Sequence, residues 1–410
     1  MTLISIDCDF HIHGKYSAAT SGKMIFDVIS KQALLKGLDV VGTGDALHKI
    51  WLEGIKDLSS GEGVFEKNGC KFVITAEVED IRRVHHFLIF PGISSVEQLK
   101  EDLGRYSDDM DKDGRPHVRL NGEEIAELCE ECEAMVGPSH AFVPWTSVYK
   151  EYDSLRDCYG DKQISFLELG LSADTYFADL IEELQDVTFL SNSDAHSPWP
   201  HRLGREFNRL SVKDVSYEEI KKAIVGGNGR KIELNVGLDP RLGKYHRTSC
   251  IKCYTHLKLE EAVKSGWHCP NCGATVKKGV RERISELATY DEPKHPAHRP
   301  KYLRIAPLAE IISRALGITD VYSSTVQSAW NKLVKRFESE ISVLVDVPVG
   351  DIKKVNEKIG EVILLYREEK FTIIEGGGGK YGRIVFNRTK KDEKGIKPRS
   401  VRQSVLDSFR

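Results

Sequence analysis

The sequence predicts an α/β protein: parallel strands joined by crossover helices, then a small cysteine-bearing domain and a mainly helical C-terminal domain. Short apolar runs, such as 4–13 and 70–79, alternate with amphipathic stretches such as 23–38 and 122–134. Repeated strand–helix alternation is typical of a parallel sheet or a closed barrel. Two CxxC steps after residue 249 indicate the small domain, and helical periodicity dominates after residue 305.

Changes in composition predict four segments. The strand–helix alternation ends in glycine- and asparagine-rich sequence, which limits the first domain to 1–243. The cysteine-bearing domain spans 244–280, the mainly helical domain spans 281–388, and a basic, polar, flexible tail spans 389–410. Within the helical domain a single apolar stripe predicts core packing, formed by Val326, Trp330, Leu333, Val334 and Phe337.

The overall composition is that of a soluble globular protein. Of the 410 residues 40% are hydrophobic and 30% charged, and no apolar run reaches the length of a membrane span. The N-terminus lacks a signal-peptide pattern, so we expect a cytoplasmic protein. Nine cysteines, four of them in two neighbouring CxxC steps after residue 249, favour metal binding over a disulfide framework.

The charge is unevenly distributed along the chain. The net charge is −3, yet residues 241–304 contain 14 Lys and Arg against 6 Asp and Glu, and residues 390–410 contain 7 against 3. Basic segments on a slightly acidic body are either solvated linkers or binding sites for a polyanion. We expect DNA as the polyanion.

Residues that bind metals stand where the apolar strands end. In the C-terminal face of a parallel α/β barrel such residues converge on one site. Residues two apart in a strand point to the same side, so a pair such as His11 and His13 can hold one ion. Imidazoles mixed with carboxylates suit Zn²⁺, Mn²⁺ or Fe²⁺. The set comprises Asp9, His11, His13, Asp45, His48, Glu77, His85 or His86, His140, Glu168, Asp194 and His196.

The motifs HIHGKYS, TGDALH, TAEVED, HFLIF, PSHAF and SNSDAHS resemble, in order, those of the PHP (polymerase and histidinol phosphatase) superfamily. The resemblance covers about 1–235. It implies a distorted (β/α)₇ barrel with two or three divalent ions, Zn²⁺, Mn²⁺ or Mg²⁺. The implied ligands are His11, His13, Asp45, His48, Glu77, His86, His140, Asp194 and His196.

Two of these ligands are open to an alternative. The superfamily usually has adjacent Asp and His in its second motif, whereas Ala46 and Leu47 separate Asp45 from His48. Either His85 or His86 can be the ligand of the motif HFLIF, and we choose His86 because the apolar run FLIF follows it directly.

The ions imply hydrolysis of a phosphate ester. A metal-activated water is the expected nucleophile, and a nearby cation neutralises charge on the phosphoryl oxygens. We expect Asp194 and His196, with Lys15 and Arg202 as cations, to act in catalysis. Tyr16, Trp145, Trp199 and Arg205 lie beside the metal motifs and are candidates for binding a substrate base, although each aromatic ring also suits core packing.

Four cysteines predict a structural zinc site. Cys250 and Cys253 form one CxxC step, and Cys269 and Cys272 form another after 15 residues. This spacing is typical of tetrahedral Zn²⁺, and four thiolates leave no open position for catalysis. Gly273 directly follows the last ligand and suits a tight turn.

Two short C-terminal patterns have alternative interpretations. The run GGGGKYGR either presents backbone amides and Lys380 to a phosphate or forms the turn of a hairpin. Near the end of the chain, Gln403, Leu406 and Phe409 fit the pattern Q-x-x-h-x-x-F. This pattern resembles the short motif that docks on the sliding clamp PCNA, although Arg410 replaces the usual second aromatic residue.

The combination of barrel, four-cysteine domain, helical region and terminal motif resembles a family of archaeal DNA repair endonucleases over essentially the full chain. That resemblance implies cleavage 5′ to deaminated bases (hypoxanthine, uracil, xanthine) and at abasic sites, by a protein we expect to be monomeric. The alternatives are a small-molecule phosphatase of the histidinol-phosphatase type and a non-catalytic DNA-binding module. Neither alternative explains the full set of features. A small-molecule phosphatase would not need the cysteine-bearing domain and the tail. A non-catalytic module would not be expected to keep a nearly complete set of metal ligands.

Overall fold

The computed structural model describes residues 2–61 and 63–385. The strands are β1 (Ile4–Asp9), β2 (Val40–Gly42), β3 (Ser59–Gly61), β4 (Val64–Lys67), β5 (Cys70–Glu79), β6 (His85–Phe90), β7 (Met135–Pro138), β8 (Leu167–Glu168), β9 (Phe189–Leu190), β10 (Phe207–Val212), β11 (Lys231–Gly237), β12 (Ser249–Cys250), β13 (Val276–Lys277), β14 (Lys301–Arg304), β15 (Thr372–Ile374) and β16 (Arg383–Val385).

The helices connect and cover these strands. They are α1 (Phe26–Lys36), α2 (Lys49–Lys56), α3 (Ile93–Gly104), α4 (Gly122–Glu131), α5 (Val148–Glu151), α6 (Leu155–Tyr159), α7 (Thr175–Ala178), α8 (Tyr217–Val225), α9 (Leu259–Lys264), α10 (Val280–Leu287), α11 (Leu308–Leu316), α12 (Ser324–Phe337), α13 (Val349–Val355) and α14 (Glu357–Arg367), with a π-helical turn at Ser342–Asp346. None of the helices in 2–61 and 63–385 is long and apolar enough to cross a membrane.

A mixed central sheet organises the N-terminal region of the chain. Its order is β14-β11-β10-β1-β2-β5-β4-β3, with β6 paired to β5 and β7 to β6. The steps from β1 to β2 and from β2 to β5 are parallel, whereas β5–β6, β6–β7 and β1–β10 are antiparallel. The α/β class is therefore confirmed, and the expectation of parallel strands throughout is corrected.

The reversal at β5–β6 has a local cause. No helix separates the two strands, because Asp80 forms a tight turn in which its Oδ1 accepts hydrogen bonds from the N–H groups of Arg82 and Val84. The backbone N–H of Asp80 also donates to Val84 O. A connection this short forces antiparallel pairing.

Two short strands complete the surroundings of the site. β8 and β9 pair with each other in parallel, and an isolated parallel bridge joins Ile12, after β1, to Ala195, after β9. Ala141, after β7, donates its backbone N–H to Glu168 O. The ends of β1, β7, β8 and β9 therefore meet at one place.

The core follows the two-residue period of the strands. Ile6, Cys8 and Phe10, in and just after β1, pack with Phe87 and Leu190 in one buried cluster. Residues of the opposite strand faces, such as Val41, Ile74 and Leu88, belong to a second cluster, which includes apolar residues of the helices. That cluster continues into the C-terminal helices, where Val326, Trp330, Leu333 and Val334 are buried and Phe337 is partly buried, as the predicted stripe requires.

A buried ion pair joins the C-terminal helices to the N-terminal region. Lys36 at the end of α1 is 1% exposed, and its Nζ lies 2.8 Å from Glu340 Oε1 and donates to Pro200 O. Gly37 follows with φ 97°, and a Cβ there would overlap Ser339. The close contact therefore requires glycine at the end of α1.

The cysteine-bearing segment and the connector that follows it contact the main body. Arg299 in the connector is buried, stacks 3.5 Å from the Phe189 ring centroid and pairs with Asp179. The connector then forms β14, which joins the main sheet beside β11. The chain thus returns to the first sheet before it enters α11.

Candidate metal centre and its surroundings

Two histidines follow the end of β1 and point the same way. His11 and His13 flank Ile12, whose backbone is held by the bridge to Ala195. Alternate residues of an extended chain share a side, so both imidazoles enter the interior, where each residue is 1% exposed. The predicted pairing of the two rings is therefore present.

Glu77, near the end of β5, lies at the centre of the site. Its Oε1 is 3.6 Å from His11 Nε2, and its Oε2 is 3.4 Å from His13 Nε2. The same Oε1 is 3.1 Å from both His85 Nδ1 and His140 Nε2. One buried carboxylate therefore contacts four imidazoles, an arrangement in which it can bridge two cations.

Asp194 and His196 form the open side of the site. Asp194 Oδ1 lies 3.2 Å from His13 Nε2, and the His196 ring centroid lies 4.6 Å from that of His13. The side chains of Asp194 and His196 are 29% and 32% exposed, whereas that of Glu77 is 1% exposed. Substrate therefore has access to the cluster from the side of Asp194.

The backbone is strained at three of the predicted site residues. Asp45, His140 and Asp194 have φ values of 48°, 29° and 46°. Left-handed φ is unfavourable for residues other than glycine and persists where the surrounding structure imposes it, commonly at functional sites. The strain supports a functional interpretation of these three positions.

Carboxylates fix the orientation of three imidazoles by contacting the ring nitrogen that points away from Glu77. Glu168 at the end of β8 lies 2.9 Å from His11 Nδ1, and Asp45 lies 3.1 Å from His13 Nδ1. Glu79 lies 3.0 Å from His85 Nε2. In each case the other ring nitrogen faces Glu77. Carboxylate–imidazole pairs of this kind orient metal ligands and increase their basicity.

Three buried ligand atoms that form no hydrogen bond mark a place for metal ions. Among the described residues, His11 Nε2, His13 Nε2 and Asp194 Oδ1 are buried and form no hydrogen bond. The ligand atoms of His11, His13 and Asp194 lie within 4.8 Å of one another, as do those of Glu77, His85 and His140. Buried polar atoms are rarely left unsatisfied, so the residues fit two neighbouring divalent cations.

The charges of the cluster are strongly coupled. Burial opposes the charge of His11, but Glu168 and Glu77 outweigh it and raise the pKa of His11 well above its usual range. Burial would raise the pKa of Glu77, but His85, His11 and Arg115 hold it well below its usual range. Burial lowers the pKa of His196, which favours the neutral imidazole that a cation requires.

The structure places His85, and not the chosen His86, beside Glu77. In the antiparallel pair, His85 lies opposite Glu79, and His86 lies opposite Val78. Residues directly opposite each other share a face, so His85 lies on the face of Glu77 and His86 on the reverse face. There His86 Nδ1 is 2.8 Å from the Tyr159 hydroxyl and Nε2 is 3.3 Å from Asp80.

His48 and Asp45 lie beside the cluster. The His48 ring stacks on Tyr16 with centroids 4.2 Å apart, and in the described residues it belongs to no group of converging ligand atoms. Both carboxylate oxygens of Asp45 are used, one by His13 and Ser17 and the other by the Gly14 N–H. Direct binding of metal by these two residues stays a prediction.

Arg115 is a cation at the site that the sequence analysis missed. Its Nη1 lies 3.1 Å from Glu77 Oε2, and its side chain is 23% exposed. It lies on a loop between α3 and α4, where Gly114 packs against Asp45 so closely that a Cβ would overlap the carboxylate. No strand or motif near this loop indicated that it approaches the metal motifs.

The three cations named from the sequence have other surroundings. Lys15 is exposed, and its Nζ lies 5.0 Å from the centroid of the Tyr16 ring. Arg205 Nε donates to Ser193 O, next to Asp194, and so holds the loop that carries Asp194. Burial and then the neighbouring Arg205 lower the pKa of Arg202 to about 10.

The predicted base-binding aromatics differ in exposure. Trp145 is 50% exposed and lies on the loop after His140. Tyr16 is half-buried against His48, and half-buried Trp199 has Lys23 Nζ 5.3 Å from its centroid. Of the three rings, Trp145 offers the most accessible surface.

The four predicted zinc ligands converge. The sulfur atoms of Cys250, Cys253, Cys269 and Cys272 all lie within 4.8 Å of one another, and two of the pairs are 3.5 Å apart. Tetrahedral ligands with Zn–S bonds of about 2.3 Å have sulfurs about 3.8 Å apart. Gly273 forms the expected tight turn with φ 70°. The group therefore fits one tetrahedral ion.

The glycine run is the turn of the β15–β16 hairpin, and it packs against the cysteine-bearing segment. Gly376 donates its N–H to Arg241 O and accepts from Arg247 N–H. A Cβ on Gly377 or Gly378 would overlap Ser249 or Cys250. Of the two interpretations of this run, the structure supports the hairpin. The predicted clamp-binding residues, Gln403, Leu406 and Phe409, lie outside the described residues.

Comparisons with known proteins agree with these features. Residues 307–370 match the family described as MJ0043 C-terminal domain. The Methanocaldococcus jannaschii protein MJ0043 is 49% identical over 256 residues, 61% of this chain but only 32% of that longer protein. The match thus spans about a third of the length of that relative.

Two crystal structures resemble nearly the whole chain. One is the lesion-specific endonuclease PfuEndoQ from Pyrococcus furiosus, with 52% identity and a TM-score of 0.91 over 96% of this chain and 100% of that chain. The other is endonuclease Q in complex with a 27-mer duplex substrate with an abasic lesion at the active site, with 52% identity and a TM-score of 0.89 over 96% and 98%. The chain belongs to the endonuclease Q family.

Proposed function

We propose that this protein is a lesion-specific DNA endonuclease that hydrolyses the phosphodiester 5′ to a deaminated base (hypoxanthine, uracil or xanthine) or to an abasic site. The observation that carries the proposal is the pair of adjacent ligand groups, one of His11, His13 and Asp194 and one of Glu77, His85 and His140, in a chain 52% identical to a lesion-specific endonuclease. Two adjacent cation sites of this kind suit hydrolysis of phosphate esters.

The strand arrangement supports a PHP-type fold, a distorted (β/α)₇ barrel. The seven strands β1, β2, β5, β6, β7, β8 and β9 surround the site in that order, and the bridge between Ile12 and Ala195 returns the series to β1. The metal motifs fall at the ends of these strands, apart from β6, which runs in the opposite sense and contributes its first residue, His85.

Divalent ions held by His11, His13, Glu77, His85, His140, Asp194 and His196 would supply a water of lowered pKa and positive charge for the phosphoryl oxygens. The protein residues place these ligands: Glu168, Asp45 and Glu79 orient the imidazoles. Arg115 adds a fixed positive charge beside Glu77. The buried side of the site excludes water, so the phosphate must enter past Asp194.

Recognition of the lesion requires the damaged nucleotide to leave the helix. The free energy needed for this extrusion is smallest where base pairing is weak or absent. Tyr16, Trp145, Trp199 and Arg205 are the proposed contacts for the extruded nucleotide. Stacking on an aromatic side chain contributes about 1–3 kcal/mol per base. Trp145 has the largest exposed fraction of these rings and is the first to test by substitution.

We assign Zn²⁺ to the four cysteines. Their segment has a small apolar cluster of its own, formed by Leu257, Ala262 and Val276 with two of the cysteines. A core this small depends on the ion for folding. Removal of the ion by a chelator should therefore unfold the segment, which loss of near-ultraviolet circular dichroism from Trp267 would report.

The test of the proposed function uses end-labelled duplexes with one hypoxanthine, uracil, xanthine or abasic analogue, and an undamaged duplex, in Mg²⁺ or Mn²⁺. We expect one nick, 5′ to the lesion, and none in the undamaged duplex. Asp194→Ala should abolish it. Hydrolysis of a phosphate monoester without any nicking would refute the proposal and favour a phosphatase.

Binding to a sliding clamp through Gln403, Leu406 and Phe409 stays a prediction. A helical turn would place Leu406 and Phe409 on one face, which suits a hydrophobic groove. Calorimetry with purified clamp should give binding for the full chain and none for Phe409→Ala. Equal binding of the two proteins would refute the motif.

A further inference from the structure

Asp9, the last residue of β1, is a buried carboxylate that lies outside the two ligand groups of the metal centre. It is fully buried, and among the described residues it belongs to no group of converging ligand atoms. Its two oxygens face the loop after β9, which carries Asp194. A buried carboxylate requires hydrogen-bond donors, and the identity of these donors shows what the carboxylate holds in place.

Three donors converge on Asp9. Its Oδ1 accepts the backbone N–H of Ser193 at 3.0 Å, and its Oδ2 accepts the Ser193 hydroxyl at 2.5 Å. The same Oδ2 accepts the backbone N–H of Gly204 at 2.8 Å. Asp9 therefore joins the residue directly before Asp194 to the segment that leads into β10.

The neighbours of Asp194 are fixed on both sides. In addition to the two bonds with Asp9, Ser193 accepts a hydrogen bond from Arg205 Nε at its carbonyl oxygen, at 3.0 Å. On the other side of Asp194, the carbonyl oxygen of Ala195 accepts the backbone N–H of His13 at 3.0 Å. Every polar atom of Ser193 thus has a partner, and Asp194 lies between two held residues.

The backbone conformation of Asp194 explains why a side chain holds Ser193. In a regular parallel pair, the Ser193 N–H would donate to a backbone carbonyl of the adjacent strand. The left-handed φ of 46° at Asp194 interrupts such pairing, and an oxygen of Asp9 accepts this N–H instead. Left-handed residues other than glycine persist only where the surrounding structure imposes the conformation.

We propose that Asp9 is a positioning residue that holds Asp194 in this conformation and so prepares the group of His11, His13 and Asp194 for a divalent cation. The end of β1 then places all three ligands, because it leads into the two histidines and fixes Asp194 through Asp9. Replacement of residues that orient metal ligands typically lowers metal affinity or activity by about 10- to 100-fold. The proposal rests on the proposed function and adds to it the origin of the geometry at Asp194.

The variant Asp9→Asn keeps the shape of the side chain and removes one acceptor. An amide has one acceptor oxygen, so in either orientation its NH₂ group faces the backbone N–H of Ser193 or of Gly204. Asp194 should then lose its fixed position, and Mn²⁺ should leave the variant about tenfold faster than the wild type.

The readout for this variant is the Mn²⁺ content of the protein. Protein incubated with excess Mn²⁺ is desalted into metal-free buffer, and the metal that stays bound is followed over time by inductively coupled plasma mass spectrometry. No chelator is used, so the zinc that we assign to the four cysteines serves as an internal reference. Its amount should be the same in all variants.

Nicking of a lesion duplex gives a second readout. We expect Asp9→Asn to lower kcat by about 10- to 100-fold. The KM for the duplex should stay within about twofold of the wild type, because a fully buried carboxylate cannot contact the substrate. A higher Mn²⁺ concentration should restore part of the rate. A raised KM with an unchanged kcat would contradict the proposed role.

The matched control is Asp7→Asn, the same change two residues earlier on β1. Asp7 is 7% exposed and lies on the same side of the strand, but its carboxylate pairs with Arg209 of β10 at 2.8 Å. We expect this variant to have a lower Tm, with the Mn²⁺ release and kcat of the wild type. Equal losses of Mn²⁺ in Asp7→Asn and Asp9→Asn would show that any weakening of β1 is sufficient, and would overturn the proposal.

Ser193→Ala keeps the test decisive even if Asp9→Asn does not fold. It preserves both backbone N–H bonds to Asp9 and removes only the hydroxyl that donates to Oδ2. The loss of one of three bonds should make the release of Mn²⁺ about threefold faster. Wild-type release from Ser193→Ala, with Asp9→Asn either unfolded or also like the wild type, would overturn the proposal.

The two readouts distinguish this proposal from the proposed function. Wild-type protein that nicks no lesion duplex would refute the function, while the release of Mn²⁺ from the variants would still decide the role of Asp9. Normal nicking by the wild type, with unchanged Mn²⁺ release and kcat in Asp9→Asn, would overturn this proposal alone.

Discussion

At the residue scale, Glu77 determines how the candidate metal centre is arranged. Its two oxygens face four imidazole nitrogens and the guanidinium of Arg115, all at 3.1–3.6 Å. A carboxylate buried this deeply requires compensating charge, which the imidazoles, Arg115 or bound cations supply. The outward ends of His11, His13 and His85 are fixed by Glu168, Asp45 and Glu79, so the inward nitrogens are preorganised for cations.

The pair His85 and His86 allows a matched test of the ligand set. His85→Gln should reduce both the metal content and kcat. The loss of kcat should exceed the 10- to 100-fold that is typical when a residue that only hydrogen-bonds to a metal ligand is replaced. His86→Gln should keep the metal content and lower Tm, because His86 lies between Tyr159 and Asp80 on the reverse face. Metal analysis of the two variants after reloading checks this, and loss of metal only from His86→Gln would contradict the assignment.

Arg115 should contribute to the rate and not to folding. Arg115→Ala is expected to lower kcat about 100-fold, since removal of one preorganised group at a developing charge has an effect of that size. Arg115→Lys should restore some of the rate. The control is Arg119→Ala on the same loop, whose guanidinium pairs with the exposed Asp108. Equal kcat values for the Arg115 and Arg119 variants would contradict this role.

Glu206 should make stability depend on pH. It is fully buried, with Leu238 N–H donating to Oε1, and burial raises its pKa from 4.5 to about 8. Arg205 opposes the shift, and Glu168 and Asp9 add to it. The folded state therefore binds a proton that the unfolded chain releases between these pH values.

Because of this proton uptake, the free energy of unfolding falls as the pH rises. The stabilisation by Glu206 is complete below pH 4.5 and is lost as pH rises towards 8, at up to about 1.4 kcal/mol per pH unit. Glu206→Gln should show a flatter dependence of the free energy of unfolding on pH, measured by urea denaturation from about pH 5 to about pH 8. Parallel curves for the variant and the wild type would contradict the buried, protonated carboxyl.

Most of the residues that the structure gathers around Glu77 were predictable from the sequence, and the exceptions have physical reasons. His11, His13, His140 and Asp194 stand directly after apolar runs, which indicates their position. The choice between His85 and His86 was open because the face that each residue occupies depends on the register of a hairpin, and one residue of shift exchanges the faces. Arg115 was missed because loop contacts over long sequence separation leave no local pattern.

At the element scale, the reversed strand β6, which is antiparallel to both β5 and β7, distinguishes the N-terminal region from a regular parallel barrel. Alternation of strands and helices predicted the α/β class, but it did not reveal the turn after Asp80 that replaces a crossover helix. The helical stripe from Val326 to Val334 was predictable, since its period of about 3.6 residues appears in the sequence. The return of the connector to the main sheet as β14 was not, because it depends on pairing with distant β11.

The junction between α1 and the C-terminal helices depends on the buried pair of Lys36 and Glu340. Glu340 also accepts hydrogen bonds from Leu308 N–H and Trp330 Nε1–H. Removal of one partner leaves a buried charge, so Lys36→Met should lower the free energy of unfolding by about 3–5 kcal/mol.

The control for this prediction is an exposed pair of the same kind. Lys354 and Asp351 lie 2.8 Å apart with side chains 80% and 48% exposed, so Lys354→Met should cost less than about 1 kcal/mol. Chemical denaturation of both variants gives the comparison. Similar losses in the two variants would show that the junction does not depend on the buried pair.

At the scale of the whole molecule, the metal centre, the cysteine-bearing segment and the C-terminal helices form one connected structure. Buried residues of the first domain and of α11–α14 belong to the same core cluster, and Lys36 links Glu340 to Pro200 in the loop that follows His196.

We propose that the cluster around Glu77 holds the divalent ions with which the protein cuts DNA at a lesion. The direct measurement is nicking of a duplex with one stable abasic analogue by metal-stripped protein during titration with Mn²⁺, for the wild type and Glu77→Gln. We predict no nicking without metal, full recovery for the wild type, and a rate at least about 1,000-fold lower for Glu77→Gln at saturating Mn²⁺. Nicking by the metal-stripped protein, or a wild-type rate for Glu77→Gln, would contradict the account.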